Sequence, residues 1–77
     1  MRIAIDVYYR PPGDEIREQQ IGAEIAQFGG RLDYSELPSE HAEAICLTFE
    51  FEDRQSAERA TAAIRRKGEH VEGPYDY

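Results

Sequence analysis

The chain has 77 residues, with 16 acidic side chains against 9 basic ones and a formal net charge of −7. That length makes one domain, residues 1–77, and buries only about 60–65% of its unfolded surface, so deep pockets are scarce. The negative balance argues against nucleic-acid backbone and anionic membrane as partners, because both are gripped through Lys and Arg.

The first strand is read from RIAIDVYY, residues 2–9, where Ile3, Ile5 and Val7 alternate with Ala4, Asp6 and Tyr8. Period two means one buried face and one open face. Pro11-Pro12-Gly13 ends it. Asp14 is placed to cap a helix whose early Glu15 and Glu18 suit the positive end of the dipole. Ile21, Ile25 and Phe28 form its buried stripe, and Gly29-Gly30 terminates it. A weaker strand follows over Arg31–Glu36, with Leu32 and Tyr34 read as in phase. Leu37 to His41 reads as a loop.

The third strand is the most apolar. Ile45, Leu47, Phe49 and Phe51 alternate with Ala44, Cys46, Thr48 and Glu50. Asp53 caps a second helix with the stripe Ala57, Ala60, Thr61 and Ile64. Arg65, Arg66 and Lys67 sit at the negative end of its dipole, before Gly68. The last strand holds Val71 and also Gly73-Pro74. Proline cannot donate to a ladder, so this strand belongs at an edge.

One plan, strand-helix-strand, thus occurs twice. The expected class is α+β: a ferredoxin-like βαββαβ sandwich with two helices on one face of a four-stranded antiparallel sheet. Right-handed crossovers give the strand order 4-1-3-2.

The stretch Phe49–Ala60, FEFEDRQSAERA, resembles the strand-to-helix segment of RNA-recognition-motif domains, which share this topology. The resemblance implies aromatic residues on the open face of the two central strands, where bases stack. Aligned in this way, Ala4 takes the stacking position of the first strand, and Cys46 and Thr48 take those of the third. None is aromatic, and Asp6 and Glu50 repel phosphate. The expectation is no direct nucleic-acid binding.

The open face centres on Ala4, Asp6, Tyr8, Ala44, Cys46, Thr48 and Glu50: small residues flanked by carboxylates. Small residues permit close approach by another sheet, helix or chain, including a second copy, and many ferredoxin-like proteins dimerise there by analogy. A solvated sheet face explains the same pattern. On the first helix Ile16, Gln20, Ala23 and Gln27 make an uncharged row opposite the buried stripe, a second candidate contact surface.

Chemistry-bearing motifs are few. His41 and His70 each have Glu neighbours, but the strand order puts them on opposite edges, about 14 Å apart, against the ~2 Å a zinc ligand needs. No metal and no cofactor are expected. Cys46 lies mid-strand without a basic run to activate it. As the single cysteine it forms no internal disulfide, and no apolar run approaches the ~20 residues of a membrane span. No charged leader precedes an apolar stretch. A reducing cytoplasm is the expected compartment, with no membrane association. The tail Gly73-Pro74-Tyr75-Asp76-Tyr77 either clamps the sheet edge or adds a strand to a partner.

Three functions remain open. The first is a non-enzymatic protein-interaction or regulatory module, with homodimerisation through the open face as one form. The second is an acidic inhibitor occupying the nucleic-acid site of a basic enzyme, with Asp6, Asp33, Glu36, Glu50, Glu52, Asp53 and Glu72 as its carboxylates. The third is a small dimeric enzyme or ligand-binding protein using Tyr8, Asp6 and His70.

Overall fold

Asp14 and Asp53 open the two helices, as their positions in the sequence suggest. Asp14 Oδ1 accepts from the Arg17 N–H at 3.0 Å, and Asp53 Oδ1 from the Ser56 N–H at 2.8 Å. Each carboxylate satisfies one of the donors that a first turn leaves without an intrahelical partner. The computed structural model describes residues 2–36 and 43–77. In these, β1 (Ile3–Tyr9), α1 (Glu15–Ala26), β2 (Arg31–Glu36), β3 (Ile45–Phe51), α2 (Arg54–Arg66) and β4 (His70–Asp76) follow in order. The loop read over Leu37–His41 lies outside the described residues.

Helix α1 ends two residues before the stripe residue Phe28. The chain there tightens into bonds from Gln27 N–H to Glu24 O and from Phe28 N–H to Ile25 O. Gly30 N–H then reaches back to Ile25 O at 3.2 Å, across Gly29 at φ +82°. Only a residue without Cβ adopts that conformation at little cost. Phe28 still packs against the core from the turn. Helix α2 stops at Arg66 with the same pattern of closing bonds, Gly68 N–H to Arg65 O and Glu69 N–H to Ile64 O. Arg65 and Lys67 also tie α2 to its surroundings, donating to Val71 O and to the Glu24 carboxylate, both at 2.9 Å.

The sheet is antiparallel throughout, in the order β2-β3-β1-β4. Read from the other edge, this is the expected 4-1-3-2. The two most apolar strands are central and the proline-bearing strand is an edge. Ile3, Ile5, Val7 and Tyr9 of β1 join Ile45, Leu47, Phe49 and Phe51 of β3 in one buried cluster with Ile21, Ile25, Ala57, Ala60 and Ile64 from the helices. Each large apolar side chain buried this way contributes about 1.5–3 kcal/mol. Thr61, buried in the second stripe, satisfies its hydroxyl on Ala57 O at 2.8 Å. Both helices therefore cover one face, and the architecture is the ferredoxin-like α+β sandwich. Among the described residues no helix is long and apolar enough to cross a membrane.

One strand departs from its expected phase. Leu32 pairs with Phe49 and Tyr34 with Thr48, with a register shift between them. The extra residue is Asp33. A bulge of this kind breaks the period of two, so Leu32 lies on the helix side and Tyr34 on the open side. Both are about half exposed, at 53% and 56%.

Candidate functional site

Strand alternation sends Ala4, Asp6 and Tyr8 of β1 and Cys46, Thr48 and Glu50 of β3 to the face away from the helices. The edge strands decide what becomes of them. Strand β4 sets Tyr75 opposite Ala4, Glu72 opposite Asp6 and His70 opposite Tyr8. Strand β2 sets Arg31 opposite Glu50 and Tyr34 opposite Thr48.

A second bulge makes this possible. Gly73 and Pro74 together oppose Ile5, so Glu72 and Tyr75, three residues apart, face the same side. Gly73 sits at φ +112°, and a Cβ there would lie 3.0 Å from Ala4 O and 3.3 Å from Ile5 Cα. Only glycine fits both the conformation and the space.

Tyr75 changes the character of the face. From its place beside Ala4 it donates its hydroxyl to Asp6 Oδ1 at 3.0 Å, and Thr48 Oγ1 donates to the same oxygen at 2.6 Å. Ala4 has no exposed surface, and Thr48 retains 7%. The open, small-residue centre expected from the sequence is therefore closed by the chain's own C-terminal strand. Burial and then the bond to Asp6 push the Tyr75 hydroxyl up to about 12. The proton stays on the phenol, which is the donor of the pair.

Glu50 is also enclosed. It is 5% exposed and takes Arg31 Nε at 2.5 Å and both contacts of Arg2 Nη1, at 3.0 and 2.9 Å. Those bonds, Arg31's first, hold its carboxyl below the usual range against the opposing effect of burial. As a repeller of phosphate, Glu50 is thus already neutralised from within.

Tyr77, just past β4, donates its hydroxyl to the Asp33 carboxylate on β2, while its N–H bonds Arg2 O at 3.0 Å. Its ring stands edge-to-face against Tyr75, with centroids 6.2 Å apart and planes at 80°. The tail read as a clamp or a donated strand lies as a clamp on the sheet of its own chain.

At the other end Tyr8 is half-buried, with its ring 5.8 Å from that of His70. Burial first, and then its neighbour Cys46, raise the Tyr8 hydroxyl well above the ordinary tyrosine range. Cys46 Sγ is 3.9 Å from Thr48 Oγ1. His70 Nε2 is 3.6 Å from the Glu72 carboxylate. Asp6 directs its Oδ1 to Thr48 and Tyr75, so the trio Tyr8, Asp6 and His70 forms no relay through that oxygen. Among the described residues no group of three or more His, Cys, Asp or Glu is placed to hold a metal ion; His41 lies outside them.

Ile16, Gln20 and Ala23 are exposed as a row on α1, Ile16 at 70%. Gln20 and Ala23, but not Ile16, border a groove between the helices, bridged by Arg17–Glu69 at 2.6 Å and Lys67–Glu24 at 2.9 Å.

Of the nine candidate contact residues, Ala4, Thr48 and Glu50 are thus interior. Asp6, Tyr8 and Cys46 are partly accessible, and the α1 row is open. The residues that now form the outer surface of the sheet, Tyr34, Tyr75 and Tyr77, were not placed there by period-two reasoning. The Gly73-Pro74 pair was the available signal, since a bulge shifts everything after it by one. Comparison with protein-family models, with curated proteins and with solved structures gives no match.

Proposed function

We propose that the chain is a small, non-enzymatic protein-interaction module of the cytoplasm, and that the sheet face away from the helices is its contact surface. One observation carries this reading. Tyr8, Tyr34, Tyr75 and Tyr77 gather on a single face, and the hydroxyls of two of them are fixed on carboxylates of other strands, Tyr75 on Asp6 of β1 and Tyr77 on Asp33 of β2. Tyrosine supplies large, rigid contact area at low entropic cost and is enriched at protein interfaces. Pre-fixed rings lose less freedom on binding than mobile ones.

The test is capture from the source cell by the immobilised chain and by a Tyr34→Ala/Tyr77→Ala double variant whose fold is verified by circular dichroism. Partners held by the first and lost by the second support the reading. The same set held by both overturns it.

A second reading, the acidic inhibitor of a basic enzyme, draws on the same face. Glu72 is 62% exposed there and lies beside His70, and the Asp33 carboxylate is matched only by the Tyr77 hydroxyl among the described contacts. A basic enzyme inhibited at low salt and released at high salt supports it, and inhibition indifferent to salt removes it.

A further inference from the structure

We infer that the open face recognises arginine side chains of a partner protein, seating guanidinium groups against the Tyr75 and Tyr77 rings. This rests on the open-face reading and names the chemistry of its partner.

The chain shows the arrangement once in complete form, on its helix side. The Tyr9 hydroxyl donates to the Glu18 carboxylate, the Arg17 guanidinium lies 4.9 Å from the Tyr9 ring centroid, and Glu69 takes that guanidinium at 2.6 and 3.2 Å. The parts are a ring, a carboxylate holding its hydroxyl, a cation over its face and a second carboxylate. A phenol donating to an anion has a more electron-rich ring, which strengthens its attraction for a cation.

The open face repeats the arrangement without the cation. The Tyr75 hydroxyl is held by Asp6 and the Tyr77 hydroxyl by Asp33. Among the described residues no guanidinium lies over either ring. Glu72, opposite Asp6 and largely exposed, is the second carboxylate. Arg2 and Arg31 are both engaged by Glu50, and Arg10 lies at the other end of the face, beside Tyr8 and His70. Asp6, Asp33 and Glu72 receive neutral donors or a histidine. The face therefore has carboxylates in excess and rings held ready, and charge complementarity selects a cationic occupant. A second copy presents Asp33 and Glu72 again and is repelled. Nucleic acid and anionic lipid are repelled for the same reason. Arginine is favoured over lysine because its flat guanidinium stacks on a ring and forks onto a carboxylate together.

The probe is a short peptide of spaced arginines, with a twin in which neutral citrulline replaces each arginine, titrated into the full chain and followed by NMR. The arginine peptide is expected to shift the Tyr75 and Tyr77 ring resonances, and the citrulline twin to bind at least about tenfold more weakly. Tyr77→Leu is expected to lower affinity about 2- to 5-fold, the range for an exposed cation–π contact, while Tyr77→Phe keeps most of it. Glu72→Gln weakens binding, and Glu58→Gln, an equal charge change on exposed α2 surface, leaves it within about twofold. Equal binding of the twin, equal loss from Glu58→Gln, shifts confined to α1, or no binding of the arginine peptide each overturn the inference. The capture experiment judges the open-face reading separately.

Discussion

The Tyr75 hydroxyl donates to Asp6 Oδ1 at 3.0 Å, joining the proline-bearing edge strand to the centre of the sheet. The bond depends on the bulge at Gly73-Pro74, which turns Tyr75 to the open side. It places a ring beside Ala4 and gives a carboxylate in the sheet a second donor besides Thr48. A part-buried acceptor satisfied in this way stabilises; losing one donor of two costs about 1 kcal/mol.

Removing the hydroxyl and removing the ring have different consequences. Tyr75→Phe deletes one donor to an acceptor that keeps Thr48, so about 1 kcal/mol is expected to be lost. Tyr75→Ala also uncovers Ala4 and is expected to cost about 2–4 kcal/mol. Urea denaturation of the two variants gives the comparison. Equal losses would mean that the ring shields nothing.

The alkaline limb of stability carries a sign. Tyr75 has its ordinary value near 10 when unfolded and about 12 when folded. A raised folded value means that the unfolded chain gives up the proton first. The contribution is whole below about pH 10 and is lost as pH rises from there through about 12. Tyrosinate absorbance is expected to show part of the five-tyrosine signal titrating late, and Tyr75→Phe to flatten this portion of the stability curve. A single titration near the ordinary value for all five would contradict the packing described.

Glu50 acts on the acid side. Its folded value is lowered by Arg31 and Arg2, so its stabilisation is present above the ordinary carboxylate range and disappears as pH falls through the lowered value. Glu50→Gln is expected to reduce stability at neutral pH and to lose less than the parent on acidification. Parallel acid curves for the two chains would show the pair to be unimportant.

Three glycines separate by sign. Gly73→Ala meets both positive φ and the Ala4 carbonyl, with an expected cost of about 1–3 kcal/mol. At Gly30 a Cβ falls 2.5 Å from Ile25 Cγ2 and from the Phe51 ring, and overpacking of that kind costs about 1–3 kcal/mol. Gly22, inside α1, has nothing within 4 Å, so Gly22→Ala is expected to stabilise by about 0.5–1 kcal/mol. Thermal melts of the three variants check the order.

Elements whose signals are local were legible in the sequence. Asp14 and Asp53 announce helix starts, Gly29 and Gly68 announce ends, and alternation in β1 and β3 sorts core from open face. The strand order followed from right-handed crossovers, and the greater apolarity of Ile45–Phe51 over Arg31–Glu36 agrees with it. Two bulges were not legible in their effect. Asp33 looks like any strand residue, yet it places Leu32 and Tyr34 on opposite faces. Gly73-Pro74 was read as an edge marker, which it is, but its shift of Tyr75 over Ala4 depends on pairing with β1. Partners distant in sequence, such as Arg2 and Arg31 on Glu50, exist only once the register is set.

The central claim, recognition through the tyrosine-lined sheet face, is tested most directly by backbone amide exchange on the chain alone and in complex with a captured partner. New protection at Tyr8, Tyr34, Tyr75 and Tyr77 and along the strands that carry them is the predicted result. Protection confined to the α1 row of Ile16, Gln20, Ala23 and Gln27, with the sheet face unchanged, would contradict it.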